Sequence, residues 1–239
     1  MKKSFTLLEI IFVLIIIGIL STSMNFSFSD TSLLRAGDQI VSHLNYTRHL
    51  AIKENKMQYY PINNSATEMN RSKYWFKQWW QIRFSQKTSD PKDYWYEIFT
   101  DVPYDNGKNF DKYGNTPTPK WDITYAKNPS DKYLIGNCDV SNYPDCIDSD
   151  TKLNLSKTYG IKKMLFINIP NKRLLFDNYG NVYLDEGEQG DANDTNPYDN
   201  NEREPLLNTA KIVLCKDDNC EINTTICISP KIGNAYLCN

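Results

Sequence analysis

The residues able to do chemistry are few and widely separated. The six cysteines stand at 138, 146, 215, 220, 227 and 238. Their spacings are neither C-x-x-C nor zinc-like, so the chemistry they offer is disulfide formation in an oxidising compartment. Six cysteines allow 15 pairings. Loop closure favours the short loops, Cys138 with Cys146, Cys215 with Cys220 and Cys227 with Cys238. The two histidines, His43 and His49, are six residues apart, on different faces of a helix, and far in sequence from any Ser, Cys or carboxylate cluster. Phosphate-binding, dinucleotide and H-E-x-x-H patterns do not occur. The sequence therefore predicts no catalytic residues, no cofactor, no metal site and no enzymatic activity. An acidic tract carries Asp185, Glu186, Glu188, Asp191, Asp194, Asp199, Glu202 and Glu204. Its oxygen ligands would suit calcium, but it lacks EF-hand spacing and reads as a solvated loop.

The remaining group is one carboxylate, Glu9, the only charge between Phe5 and Ser29. Around it the chain is apolar, and from Ile10 to Leu20 only Gly18 interrupts a run of large aliphatic and aromatic residues. As a helix, the 25 residues 5–29 would rise roughly 37 Å, enough for a hydrocarbon core of about 30 Å. Lys2 and Lys3 precede the run with no comparable cluster just after it, so the positive-inside bias holds Met1 in the cytoplasm and sends the rest across. A carboxylate at the front of such a run is costly in lipid and calls for a positive partner. The competing reading is a secretory signal peptide cut near Ser21-Thr22-Ser23.

Beyond the apolar run, Leu33, Leu34, Gly37, Ile40, Val41, Leu44, Ala51 and Ile52 recur at three- and four-residue spacing, which predicts an amphipathic helix. Joined to the first segment it would make one rod of roughly 75 Å. Alternatively, Asp30-Thr31-Ser32 caps a fresh helix. Past Glu54 the pattern changes to alternation. Strands are predicted at Trp80–Phe84, Tyr94–Thr100, Trp121–Tyr125, Met164–Ile169, Arg173–Phe176, Val182–Leu184, Lys211–Leu214 and Thr225–Ser229. The short connections favour antiparallel pairing. Residues 103–119, thick with Asp, Asn, Gly and Pro, read as a surface loop.

With 239 residues, 27 Lys+Arg against 29 Asp+Glu and a mean hydropathy of -0.58, the chain fits one ordinary globular domain, or two small ones, plus an extra segment. A net charge of -2 gives no global attraction to phosphate, so nucleic-acid contact would have to be local. Tyr74-Trp75-Phe76 and Trp79-Trp80, with Lys73, Lys77 and Arg83, could form a stacking platform, although packing within a sheet explains them more simply.

Lys2-Lys3-Ser4, then Phe5-Thr6-Leu7-Leu8-Glu9, then the run Ile10 to Leu20, resembles the N-terminal signature of type IV pilins and of type II secretion pseudopilins. Leu174 to Val182 and Ile226 to Leu237, each with a Gly in a turn between apolar strands, are similar to the paired C-terminal hairpins of GspH/FimT-type minor pseudopilins and minor pilins. The resemblance implies cleavage by a prepilin peptidase between Ser4 and Phe5, and N-methylation of Phe5. It also implies charge pairing of Glu9 with the Phe5 amine of a neighbouring subunit. Ser4 stands where the family usually has Gly. Losing Lys2 and Lys3 leaves 25 Lys+Arg against 29 Asp+Glu, a net charge of -4.

The fold expected is α+β, a long N-terminal transmembrane and stem helix packed on an antiparallel β-rich domain. Its parts are a leader at 1–4, a transmembrane assembly helix at 5–29, a stem helix at 30–56 and a periplasmic domain at 57–239. The expected location is the bacterial inner membrane, single-pass, with the N-terminus cytoplasmic. The function expected is that of a minor pseudopilin supporting protein export. Its partners would be the membrane, other pilin or pseudopilin subunits, the peptidase and an inner-membrane assembly platform. The alternative is a minor pilin that binds DNA during uptake, which the resemblance places in a basic C-terminal region. Here that region offers Lys211, Lys216 and Lys231 but no Arg after Arg203, so DNA is not favoured.

Overall fold

A computed structural model describes residues 7–25, 28–54, 79–87, 89–101, 123–136, 148–185 and 203–238. Two helices open the chain, α1 at Leu7–Asn25 and α2 at Phe28–Lys53. Ten strands follow: β1 Trp80–Lys87, β2 Asp90–Asp101, β3 Ile123–Tyr125, β4 Lys163–Ile167, β5 Arg173–Phe176, β6 Val182–Asp185, β7 Arg203–Pro205, β8 Ala210–Cys215, β9 Asn223–Ile228 and β10 Ala235–Cys238. A short helix, α3 at Leu155–Tyr159, precedes β4.

The strands form two antiparallel sheets, one of six in the order β3-β2-β1-β5-β6-β7 and one of four in the order β10-β9-β8-β4. Helix α2 serves both. Leu33, Ala36, Ile40, Leu44 and Ala51 form its buried stripe, and they share one core with Ile82, Phe84, Tyr96 and Ile98 of the larger sheet and Ile212, Leu214, Ile226 and Ile228 of the smaller. The 3.6-residue period of that stripe is what turns one helix face inward. Gly37 marks its closest approach to the sheet: a Cβ there would lie 2.9 Å from Leu237 Cδ2 and 3.4 Å from Thr224 Cγ2.

Two expectations are overturned. The single long transmembrane and stem helix is not shown: the described residues give two helices, α1 at Leu7–Asn25 and α2 at Phe28–Lys53. Among the described residues no helix is long and apolar enough to cross a membrane, so the single-pass inner-membrane placement is corrected as well. The reason lies in the composition. By composition, the Ser, Thr and Asn residues that recur from Ser21 to Ser27 are weaker helix formers than the aliphatic residues before them. They stop the apolar part at Leu20, and residues 7–20 rise only about 21 Å, short of a core of about 30 Å. The antiparallel β-rich domain is as the alternation indicated.

The two C-terminal hairpins fall in different sheets, β5–β6 in the larger and β9–β10 in the smaller. Their turns meet, with Val182 N–H donating to Lys231 O at 2.9 Å and Gly233 seated against Phe176 and Val182. In the first turn, Asp177 Oδ1 accepts from the backbone N–H of Tyr179 and of Asn181, and Gly180 takes φ +80°.

Candidate assembly interface

Among the residues of α1 whose side chains are described, 7–19, none is buried. Leu7, Leu8, Ile10, Ile11, Phe12, Val13, Leu14, Ile15, Ile16, Ile17 and Ile19 are all between 49 and 79% exposed. Helix α2 is the opposite case, since its apolar residues gather on one stripe and that stripe is buried. Gly18 adds to the accessibility of α1, as a Cβ there would meet open space. A helix that is apolar all round is stable only when something apolar surrounds it.

Glu9 lies in the first turn of α1 and is exposed. A carboxylate at this end of a helix faces the positive pole of the helix dipole. Ser4 and Phe5, the expected cleavage and methylation positions, lie outside the described residues.

Side-chain bonds hold α2 to the rest of the molecule along its length. Asn45 clips it to β10, donating from Nδ2 to Ala235 O and accepting from Ala235 N, each at 3.1 Å. Tyr46 donates to Lys127 O at 2.9 Å, and Arg48 Nε donates to Gly180 O at 3.1 Å. Gln39 Nε2 donates to the Tyr96 hydroxyl at 2.7 Å and to Lys152 O at 3.1 Å. Helix α2 is therefore bonded to both sheets.

One polar group behind α2 repays inspection for chemistry. The Tyr159 hydroxyl donates to Gln39 Oε1, Gln39 donates to Tyr96, and the Tyr96 hydroxyl lies 2.7 Å from His43 Nδ1. The Tyr96 oxygen has two acceptor sites and one proton, so the neutral imidazole bonds to it through Nδ1 in either tautomer. Burial lowers the His43 pKa to about 4 against the smaller opposing pull of Asp150. Burial also raises the Tyr96 and Tyr159 hydroxyls and lowers Lys216, whose Nζ bonds Tyr159 O. These groups bond to one another and join α2, β2 and α3. The arrangement fastens elements together and presents no activated nucleophile. His49 is exposed.

On the outer side of the larger sheet, Arg83 Nε donates to Glu97 Oε1 at 2.7 Å, Tyr125 donates to Glu97 Oε2 at 3.3 Å, and the guanidinium lies over the Phe99 ring. Arg83 thus belongs to an ion pair whose carboxylate is buried and whose guanidinium is half-buried. Trp80 is buried and donates Nε1–H to Glu54 Oε2 at 3.0 Å, while Trp79 packs on Tyr183 with ring centroids 4.7 Å apart. Tyr74, Trp75, Phe76, Lys73 and Lys77 lie outside the described residues. The described members of the aromatic group are accordingly engaged in packing.

Two disulfides are formed, Cys215–Cys220 across the β8–β9 turn and Cys227–Cys238 between β9 and β10. Cys138 and Cys146 lie outside the described residues, as does the acidic tract from 186 to 202. Among the described residues no group of His, Cys, Asp or Glu could hold a metal ion. The half-buried position of His43 escaped sequence reasoning, yet a signal existed: His43 neighbours Ile40, Leu44 and Thr47, all fully buried, on the helical net.

Comparison with known proteins returns no match: no family model matches the chain, and neither does any curated protein or solved structure.

Proposed function

We propose that this chain is a non-enzymatic pilin-like assembly subunit, a minor pseudopilin of a type II secretion system, whose α1 packs among the corresponding helices of neighbouring subunits. One observation carries the reading: eleven large apolar side chains of α1 stand 49 to 79% exposed on a chain whose other helix buries its stripe. Covering the exposed half of each at about 1 kcal/mol contributes on the order of 10 kcal/mol, against an association cost of about 4 to 15 kcal/mol. One partner helix would cover one side only, so several are needed. The N-terminal likeness to pilins and pseudopilins supports the same partner. In that setting the peptidase cuts between Ser4 and Phe5, Phe5 is methylated, and Glu9 pairs with the new amine of a neighbour and sets the stagger between subunits. The assembly platform would feed subunits into the filament. For the DNA-uptake alternative, Lys216 is already engaged with Tyr159 O, leaving Lys211 and Lys231 exposed, so the export subunit is preferred.

The test replaces two exposed α1 residues, Ile11→Asp with Ile15→Asp, in the full chain expressed with its pilin-like partners. Neither side chain is buried in the subunit, so the β domain keeps its disulfides and circular dichroism. Incorporation into sheared filaments or pull-downs is lost. Normal incorporation would contradict the proposal.

A further inference from the structure

Between Asp150 and Asp177 the chain carries Lys152, Lys157, Lys162, Lys163, Lys172 and Arg173 and no acidic residue. This stretch builds α3, β4 and β5. Strand β4 ends the four-stranded sheet: β8 pairs with one side, and among the described residues no strand lies on the other. Met164 and Phe166 turn into the core, Phe166 with its ring centroid 5.5 Å from that of Phe84. Leu165 and Ile167 turn out and are 39 and 46% exposed, beside Val213, the β8 partner of Leu165. Cations stand at both ends of this apolar strip. Lys163 is paired with Cys215 at one end and Lys211 with Ile167 at the other. Lys162 precedes the strand, and Lys172 follows its turn, with Nζ 5.9 Å from the centre of the Phe166 ring. The carboxylate of Asp218, whose backbone O accepts from Lys163, is taken by Lys92 at 3.0 Å.

From this juxtaposition we infer that the open edge of β4 receives an extended acidic peptide segment of a partner protein as an added strand. An unpaired strand edge supplies a row of backbone donors and acceptors, which is a site for strand addition. The five residues of β4 span roughly 17 Å, so the bound segment carries acidic residues at both ends, over Lys162 and Lys163 and over Lys172 and Lys211. Its alternate apolar residues lie on the side of Leu165 and Ile167. A second copy of this chain does not fit, because β4 laid antiparallel on β4 sets Lys162 and Lys163 against the Lys172 end of the copy. A nucleic acid fits poorly as well, since the middle of the strip offers aliphatic groups where phosphates need donors and bases need flat rings. The inference goes beyond the assembly role and does not rest on it.

The experiment measures fluorescence anisotropy of a fluorescein-labelled peptide, Glu-Asp-Val-Thr-Val-Thr-Val-Asp-Glu, titrated with the full chain. Saturable binding is expected, together with slowed amide exchange across β4. Lys162→Glu with Lys172→Glu, with circular dichroism checking that the fold is kept, weakens it by roughly tenfold or more. N-methylating alternate peptide amides, which keeps every charge and removes the strand hydrogen bonds, abolishes it. The inference is overturned if the N-methylated peptide or one with lysines at its ends binds as tightly. It is equally overturned if duplex DNA or phosphatidylglycerol vesicles displace the probe as well as unlabelled peptide does, or if no binding appears up to about 1 mM, where affinity is only about -4 kcal/mol.

Discussion

Acid should loosen the attachment of α2 through one residue, His43. Its imidazole is neutral, with Nδ1 2.7 Å from the Tyr96 hydroxyl, and burial holds its pKa at about 4 against 6.5 for the free side chain. Between those values the unfolded chain binds a proton that the folded chain refuses. Stability is therefore complete above about pH 6.5, falls as the pH drops towards 4 and levels off below it. At about 1.36 kcal/mol per unit, the loss is about 2 kcal/mol at pH 5 and about 3 kcal/mol at pH 4. Many carboxylates also titrate in this range, so the informative quantity is the difference between the wild-type chain and His43→Gln, which keeps a hydrogen-bonding group but cannot titrate. Urea unfolding of both chains from pH 7.5 to 4 supplies that difference. With only two histidines in the sequence, imidazole resonances give the His43 titration directly. A difference that stays flat over this range, or a His43 that titrates near 6.5, would refute the reasoning.

Three further outcomes follow from particular contacts. Gly180→Ala forces a side chain onto φ +80° and sets its Cβ 2.7 Å from Ile52 Cδ1, which lowers stability by about 1 to 2 kcal/mol in urea titration. Cys227→Ser with Cys238→Ser opens an 11-residue link between β9 and β10 and costs about 2 to 3 kcal/mol, and amide exchange in β10 speeds up before that in β8. Arg83→Met strands the buried Glu97 carboxylate and costs about 3 kcal/mol at neutral pH, whereas adding Glu97→Gln to it recovers part of the loss.

Strand alternation carried most of the β domain, because a half-buried strand must alternate: Ile82 and Phe84 point into the core while Arg83 points away. What it missed has physical causes. Strand β7 is Arg203-Glu204-Pro205, too short and too charged to show a period. Helix α3 has five residues, and only its caps announce it: Asn154 accepts from Lys157 N, and Gly160 sits at φ +68°. The helical stripe of α2 was legible, but two of its apolar members, Leu34 and Ile52, are 49 and 46% exposed, since spacing alone does not show how wide a face the sheets cover. A second helix capped at Asp30-Thr31-Ser32 was the alternative to one continuous rod, and α2 begins at Phe28, two residues earlier. The apolar all-round character of α1, which marks the candidate interface, was plain in the sequence. The polar staple around His43 was not, as its members Gln39, Tyr96, Tyr159 and Lys216 come together only through the tertiary fold.

The claim that α1 is covered by other subunits is tested most directly by photo-crosslinking in intact cells, with p-benzoylphenylalanine placed in turn at the positions of Ile11, Phe12, Ile15 and Ile16. At about 100° per residue these four positions cover about 140° of the helix, one broad face of it. All of them should yield adducts with the N-terminal helices of pilin-like chains. Adducts to lipid alone, or to this chain's own β domain, would contradict the account.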